Sequence, residues 1–438
     1  MYTVLNYYNS DNLKILSLFY KCKYSCKHKK RRTQFMEKQS FYSKLGKDER
    51  YIIMCCFFVF AVNGLYGMIL GSLLPLISAE YSLSDTMSGT LLSAHSVGNL
   101  VSGFLAGILP VYLGRKKSIM FLCSFVTLGF LLMILTGNPG ILLLAFLFTG
   151  ISRGSISNFN NGMVNEVSDS SPSALSFLHS IFAVGALLAP YLVIISVKLL
   201  GNEGWKLSAG VIIILTLVSN LLFSKMKIKE NNKTKEKEGK KAISYEFLKL
   251  KVFWINAGIL FFYLCAESTI NGFMVKYFVD TEIMSLGYAQ VLASLLWIAI
   301  LIGRLLITYF GDRVPKHMIQ LVTTISTTAF YMLLLSSRNQ TTITIAIFGV
   351  GLSMAGIYPT TVSSVGQILK VYPMAMGVLL VLGGIGAIVM PILTGALSDK
   401  LGIMAGMSAI IVALILMISF TILSVLYIGK EKKPKSIA

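Results

Sequence analysis

"FFYLCAESTINGFMVKYF", from Phe261 to Phe278, is an apolar run interrupted near its middle by one carboxylate, Glu267. It reads as a membrane helix, because a stretch of about 20 apolar residues crosses roughly 30 Å of hydrocarbon. A charge at that depth costs roughly 2.5–3.5 kcal/mol on insertion scales, so it is expected where function needs it. The whole chain has the same character. Its 438 residues are 55% hydrophobic and 13% charged, too few polar side chains to cover a soluble core of this size.

Twelve such spans are predicted, near 52–78, 87–112, 118–137, 140–167, 172–200, 205–224, 252–279, 286–310, 318–336, 341–369, 373–398 and 404–428. The fold class is an all-α membrane protein of twelve transmembrane helices in two pseudo-symmetric six-helix bundles. The predicted domains are a basic N-terminal segment (1–50, expected to be disordered), a first bundle (51–225), a linker (226–251), a second bundle (252–428) and a basic tail (429–438). "ILSLFY" in the first segment is too short for the core of a secretory signal. Met36 there reads as an alternative start, which would leave 1–35 outside the native protein.

The net charge of +20 raises nucleic acid as a partner, but its placement argues against it. With both termini in the cytosol, 32 of the 39 Lys and Arg fall in cytosolic segments. That is the positive-inside pattern. It predicts a multi-pass protein of the plasma membrane, partnered by the lipid bilayer. A monomer is expected. "CKYSCKH" offers Cys22, Cys26 and His28, one ligand short of a typical structural zinc site. Cys55, Cys56, Cys123 and Cys265 fall in spans and read as packing residues. No metal, cofactor, nucleotide-binding loop or catalytic motif is read, so the protein is not expected to be an enzyme.

Shifting the second half back by 201 residues lays "GLSMA" (Gly351–Ala355) on "GISRG" (Gly150–Gly154), "GAIVMP" (Gly386–Pro391) on "GALLAP" (Gly185–Pro190), and Gly272 on Gly71. Internal symmetry of this kind points to a transporter built from repeats. Together with the charged connector and the loop "GILPVYLGRKK" (Gly107–Lys117), it resembles the major facilitator superfamily, whose second and third helices are joined by a "GxLxDRxGRR"-like loop. The resemblance implies a cytosolic latch of Gly107, Gly114, Arg115 and Lys116, with Glu166 facing it. Val111 stands where the family has Asp, and Asp312 with Arg313 fills the equivalent place in the second half. A finer resemblance, in "FLHSIFAVGALLAPYL" (Phe177–Leu192), "GSLLP" (Gly71–Pro75) and "GIYPT" (Gly356–Thr360), is to the fucose–proton symporter-like branch. Gly71 and Ser157 occupy the positions of two acids that sugar-carrying members use, so that branch's substrate does not carry over.

The family resemblance implies a central cavity lined by helices 1, 4, 7 and 10. At 100° per residue, Ser157, Asn160 and Asn161 lie at about 40°, −20° and 80° from Arg153, one polar face of helix 4. On helix 7, Tyr263, Asn271 and Met274 share the face of Glu267. Asn63 and Tyr66 of helix 1, and Tyr358 of helix 10 beside the helix-breaking Pro359, offer further polar contacts. A carboxylate that meets water from alternate sides is what a proton-coupled carrier requires, and Glu267 is assigned that role. Arg153 is always cationic and can hold an anionic group. A structural Arg153–Glu267 pair is the alternative. His95 and His179 read as hydrogen-bonded packing residues, and Arg304 as structural. The predicted function is a secondary active transporter of a small polar solute, a sugar or organic anion, coupled to a proton or another ion. The alternatives are an efflux carrier for amphiphilic or cationic compounds, and a non-transporting membrane sensor.

Overall fold

The computed structural model describes residues 45–168, 172–228, 245–310, 314–372 and 374–431. Cys22, Cys26, His28, Met36, Asp312 and Arg313 lie outside them, as does most of the linker. The first six long helices are α1 (Lys47–Glu80), α2 (Asp85–Leu113), α3 (Arg115–Leu135), α4 (Pro139–Val167), α5 (Pro172–Leu200) and α6 (Gly204–Lys225). The second six are α7 (Lys251–Asp280), α8 (Leu286–Phe310), α9 (Lys316–Ser336), a broken tenth helix, α11 (Met374–Leu401) and α12 (Ile403–Glu431). Among the described residues, eleven stretches are long and apolar enough to cross a membrane. One of them, Phe177–Lys225 with 49 residues, turns back through the 3-10 segment Gly201–Glu203 to make α5 and α6. Large apolar side chains such as Leu135, Ile214, Leu221, Val322 and Val412 point outward, as a surface solvated by lipid requires.

The tenth helix runs as α10a (Gln340–Met354), α10b (Ile357–Ser364) and α10c (Gly366–Val371). The first break has a local cause. Pro359 has no N–H for the carbonyl four residues back, Ala355, and its ring crowds it. The second half repeats the first down to its turns. Asn138 and Asn339, 201 residues apart, each cap the following helix, accepting from Gly140 N and Ile141 N (3.0 and 3.3 Å) and from Thr341 N and Thr342 N (2.9 and 3.1 Å). Each Asn N–H in turn donates 3.1 Å to a hydroxyl two residues earlier, Thr136 or Ser337. Gly201 and Gly402 turn the chain at positive φ of 62° and 87° at the corresponding hairpins, a conformation glycine adopts at no steric cost.

Each half packs mainly on itself. The halves meet along three helix pairs: α1 with α7, α2 with α11, and α5 with α8. An even number of crossings per half puts the chain ends and the linker at one end, here called the basic end. The hairpins α1–α2, α3–α4, α5–α6, α7–α8, α9–α10a and α11–α12 lie at the other, the far end.

Candidate functional site

The three pairs between the halves close tightly at the far end. At Gly71 on α1, a Cβ would stand 2.1 Å from Asn271 O and 3.2 Å from Gly272 Cα on α7. At Gly89 on α2, it would stand 2.1 Å from Pro391 O on α11. Close backbone approach therefore needs glycine at both positions. Ser93 Oγ donates 2.6 Å to Ile388 O, and Ser294 Oγ donates 3.1 Å to Leu187 O. Donors and acceptors in these two bonds are 201 residues apart, so they are one bond repeated across the pseudo-two-fold axis. Lys276 of α7 pairs with Asp85 of α2 at 3.0 Å and also with Asp280. Asp399 of α11 accepts from Asp85 N and Thr86 N at 2.7 and 2.8 Å, capping α2 from the opposite half. Lys276, near the far end of α7, is buried between the halves. The inter-half ion pair outcompetes solvation there.

Toward the basic end the same helices part. A Cβ on Gly384 would still sit 3.3 Å from Leu100, but Gly103, Gly107 and Gly377 face open space. The wedge between them is a cavity of about 680 Å³. The GxxxG spacing at Gly103–Gly107 permits close helix contact, yet Gly103 lines the opening. The spacing at Gly150–Gly154 does make contact, with a Cβ at Gly150 only 1.9 Å from His95 O.

Arg153 and Glu267 both line this cavity, one from each half, with Ser157, Asn271 and Tyr358. Gly67 makes room for the arginine, since a Cβ there would lie 2.9 Å from its Nε. Arg153 Nη1 lies 3.4 Å from His95 Nε2, and the guanidinium sits 5.9 Å from the Phe182 ring centroid. Tyr263 donates its hydroxyl to Glu267 Oε1 at 2.9 Å, and Asn271 Nδ2 donates to Glu267 O at 2.8 Å. Among the described residues, no ion pair joins Arg153 to Glu267. The locked pair is not what this conformation contains.

Other expected residues support the walls. Asn63 Nδ2 donates 3.3 Å to Arg153 O, and Tyr66 is buried beside Ser152 and Arg153. Asn160 is buried, donating 3.4 Å to Cys56 O, and Asn161 donates 3.4 Å to Ser157 Oγ. The cavity face of α4 is centred between Arg153 and Asn158, so Asn158 enters and Asn160 turns toward α1. Tyr263 reaches the cavity only through Glu267, and Met274 is buried. Helices 2 and 11 supply more wall than expected: His95, Ser96, Asn99, Leu380, Val381 and Gly384. The signal lay in "SAHSVGNLVSG" (Ser93–Gly103), a polar stripe at helical spacing in an apolar span. Arg304 of α8 acts electrostatically on Glu267, Tyr263 and Tyr358, so it borders the site. At the basic end, Arg115 Nη2 pairs with Glu166 Oε2 at 2.9 Å. Gly114, at φ 77°, separates α2 from α3 there.

Known proteins share this architecture. The family model described as Major Facilitator Superfamily matches residues 56–335 and 257–438. Over 389 residues the chain is 20% identical to Bypass of stop codon protein 6 of Saccharomyces cerevisiae, covering 80% of this chain and 78% of that one. It is 28% identical to a gallate transporter of Pseudomonas putida over 171 residues, 38% of this chain and 37% of the other. The solved structure of a bacterial homologue of the human lysosomal transporter Spinster, inward-facing and unoccupied, is similar with a TM-score of 0.72. At 15% identity it covers 90% of this chain and 100% of its own, a likeness of fold. With a family model covering nearly all of the described helices, the chain belongs to the Major Facilitator Superfamily.

Proposed function

We propose that this protein is a secondary active transporter that carries a small polar solute, a sugar or an organic anion, by alternating access with a proton as the coupling ion. One observation carries the reading. Arg153 and Glu267, contributed by opposite halves, face one cavity that is shut at the far end and open at the basic end, and they act on each other electrostatically without closing into an ion pair. A site at the interface of two repeats is where such carriers bind their cargo. The gallate transporter among the relatives supports an organic anion. The motif "FLHSIFAVGALLAPYL" supports placement near the fucose–proton symporter-like branch. The positive-inside pattern supports a plasma-membrane protein with cytosolic termini, and hence a cavity open to the cytosol.

Glu267 has the position a coupling group needs. Its carboxylate is held by Tyr263 in its own half and borders the cavity, so rocking of the halves exposes it to alternate sides. In proteoliposomes loaded with substrate, Glu267→Gln is expected to abolish accumulation driven by a pH gradient and to leave substrate exchange intact. Accumulation that persists in the variant defeats proton coupling through this residue.

A further inference from the structure

We propose that the solute is a small monocarboxylate with one apolar face, its carboxylate seated on Arg153. This rests on the transporter reading above and narrows it.

Arg153 brings a charge that its own half does not answer. Among the described residues, its side chain makes one long hydrogen bond, to His95 Nε2 at 3.4 Å, and a face contact with Phe182. Guanidinium has five N–H donors in a planar fork. Most of this fork is left for a ligand, and its shape matches a carboxylate through two parallel hydrogen bonds.

His95 fixes the charge count. Thr149 Oγ1 donates its one proton to Phe146 O at 2.7 Å. With the hydroxyl so oriented, the tautomer assigned to His95 is the one whose Nδ1–H donates to Thr149, 2.9 Å away. With its proton on Nδ1, the neutral ring presents the Nε2 lone pair to Arg153. So the relay Phe146–Thr149–His95 steadies the guanidinium and adds no second cation. The site carries a single positive charge in this half, which suits a monoanion better than a dianion.

Glu267 argues against a zwitterion and a second carboxylate alike. It accepts from Tyr263 and is offset electrostatically by Arg304 of the same half and by Arg153 across the cavity, so it does not call for a substrate ammonium. Toward a further carboxylate it is repulsive. Like charges in a poorly polarisable cavity repel, and this links entry of an anion to entry of a proton on Glu267.

The walls around the fork are mixed, with Ser96, Asn99, Ser157 and Asn271 on part of the lining and an apolar face on the rest. Phe182 meets Trp297 edge to face, with centroids 6.3 Å apart, and Leu92 and Leu264 line the same space. Gly67, Gly71 and Gly272 keep the floor flat. A cavity of about 680 Å³ falls in the range of small-ligand sites.

Trp297 gives the test its readout. It lines the cavity, whereas Trp205 and Trp254 lie outside it. Quenching of tryptophan fluorescence in detergent-purified protein is followed with benzoate, benzamide, succinate, glycine and glucose, with Trp297→Phe as the control that assigns the signal. Benzoate is expected to bind at least about tenfold tighter than benzamide, because a site built for a charged group leaves that group unpaired with the neutral isostere. Arg153→Gln is expected to remove the preference. Arg153→Lys retains the charge without the fork and recovers part of it. The acid–amide comparison on the unaltered protein needs no variant to fold. Equal binding of acid and amide, or binding by glucose alone, overturns the monocarboxylate and leaves the transporter reading standing. Tightest binding by succinate or glycine overturns the charge count. Binding by none of the probes, with no flux of any solute in proteoliposomes, overturns both.

Discussion

The two ends of the interface between the halves differ in how closely their backbones meet. At the far end, Gly71, Gly89 and Gly395 stand so close to the opposite half that a Cβ would come within 2.1–2.2 Å of a carbonyl oxygen. At the basic end, Gly103 and Gly377, on the same α2 and α11, meet nothing within 4 Å. The helices themselves are continuous from one end to the other. The difference is therefore a tilt of one rigid bundle against the other, and glycine placement along α2 and α11 records which end this conformation closes. Packed interfaces switch between discrete arrangements rather than deforming smoothly, so disturbing one end should change the population of whole states.

The largest effect is expected from Gly89→Leu. The added Cβ meets Pro391 O at 2.1 Å, a backbone atom that cannot swing aside. Overpacking of a tight contact costs roughly 1–3 kcal/mol, which shifts a two-state balance by up to about a hundredfold. Spin labels on exposed Glu203 and Arg338, one on each half at the far end, are expected to move apart in this variant. An unchanged distance distribution would mean that the far end closes by some other contact. Asp85→Asn comes next. Asp85 and Lys276 pair with side-chain exposures of only 17% and 9%. Orphaning a buried charge costs about 3–5 kcal/mol. Lys276 keeps Asp280, so the loss is expected nearer 1–2 kcal/mol, about a tenfold shift toward the far-end-open state in the same measurement.

Much of this contrast could be read before any coordinates. The twelve spans follow from hydropathy, and the 201-residue offset predicted which positions are equivalent. The structure repeats that offset in caps, turns and inter-half hydrogen bonds, because equivalent residues sit in equivalent surroundings. The direction of side chains within a span was less legible. Asn160 and Ser157 are both polar and lie within about 60° on a helix. Only the neighbouring α1 decides that Asn160 donates to Cys56 O while Ser157 meets the cavity. His95 reads as a hydrogen-bonded packing residue because the family resemblance places helices 2 and 5 beside the cavity rather than around it. Its partners Thr149 and Arg153 lie on another helix, at a distance set by the Gly98 and Gly150 contacts. Asp280 is four residues from Lys276 in the sequence, but only the approach of α2 brings it Asp85.

The finest test sets the two halves of the far-end closure against each other. Ser93→Ala and Ser294→Ala each remove one hydroxyl bond between helices, to Ile388 O and to Leu187 O. Both acceptor carbonyls lie inside helices and keep their backbone surroundings, so each change is expected to cost about 1 kcal/mol or less. The two bonds share no partner, and their effects should add in the double variant to within about 0.5 kcal/mol. If the far end opens as one rigid-body event, the variants shift the Glu203–Arg338 distance distribution by similar amounts, despite bond lengths of 2.6 and 3.1 Å. If only Ser93→Ala shifts it, the α2–α11 contact bears the closure and the α5–α8 contact follows. A clear excess over additivity would mean the two contacts act as a unit, with each bond holding the other's helices in register across the pseudo-two-fold axis.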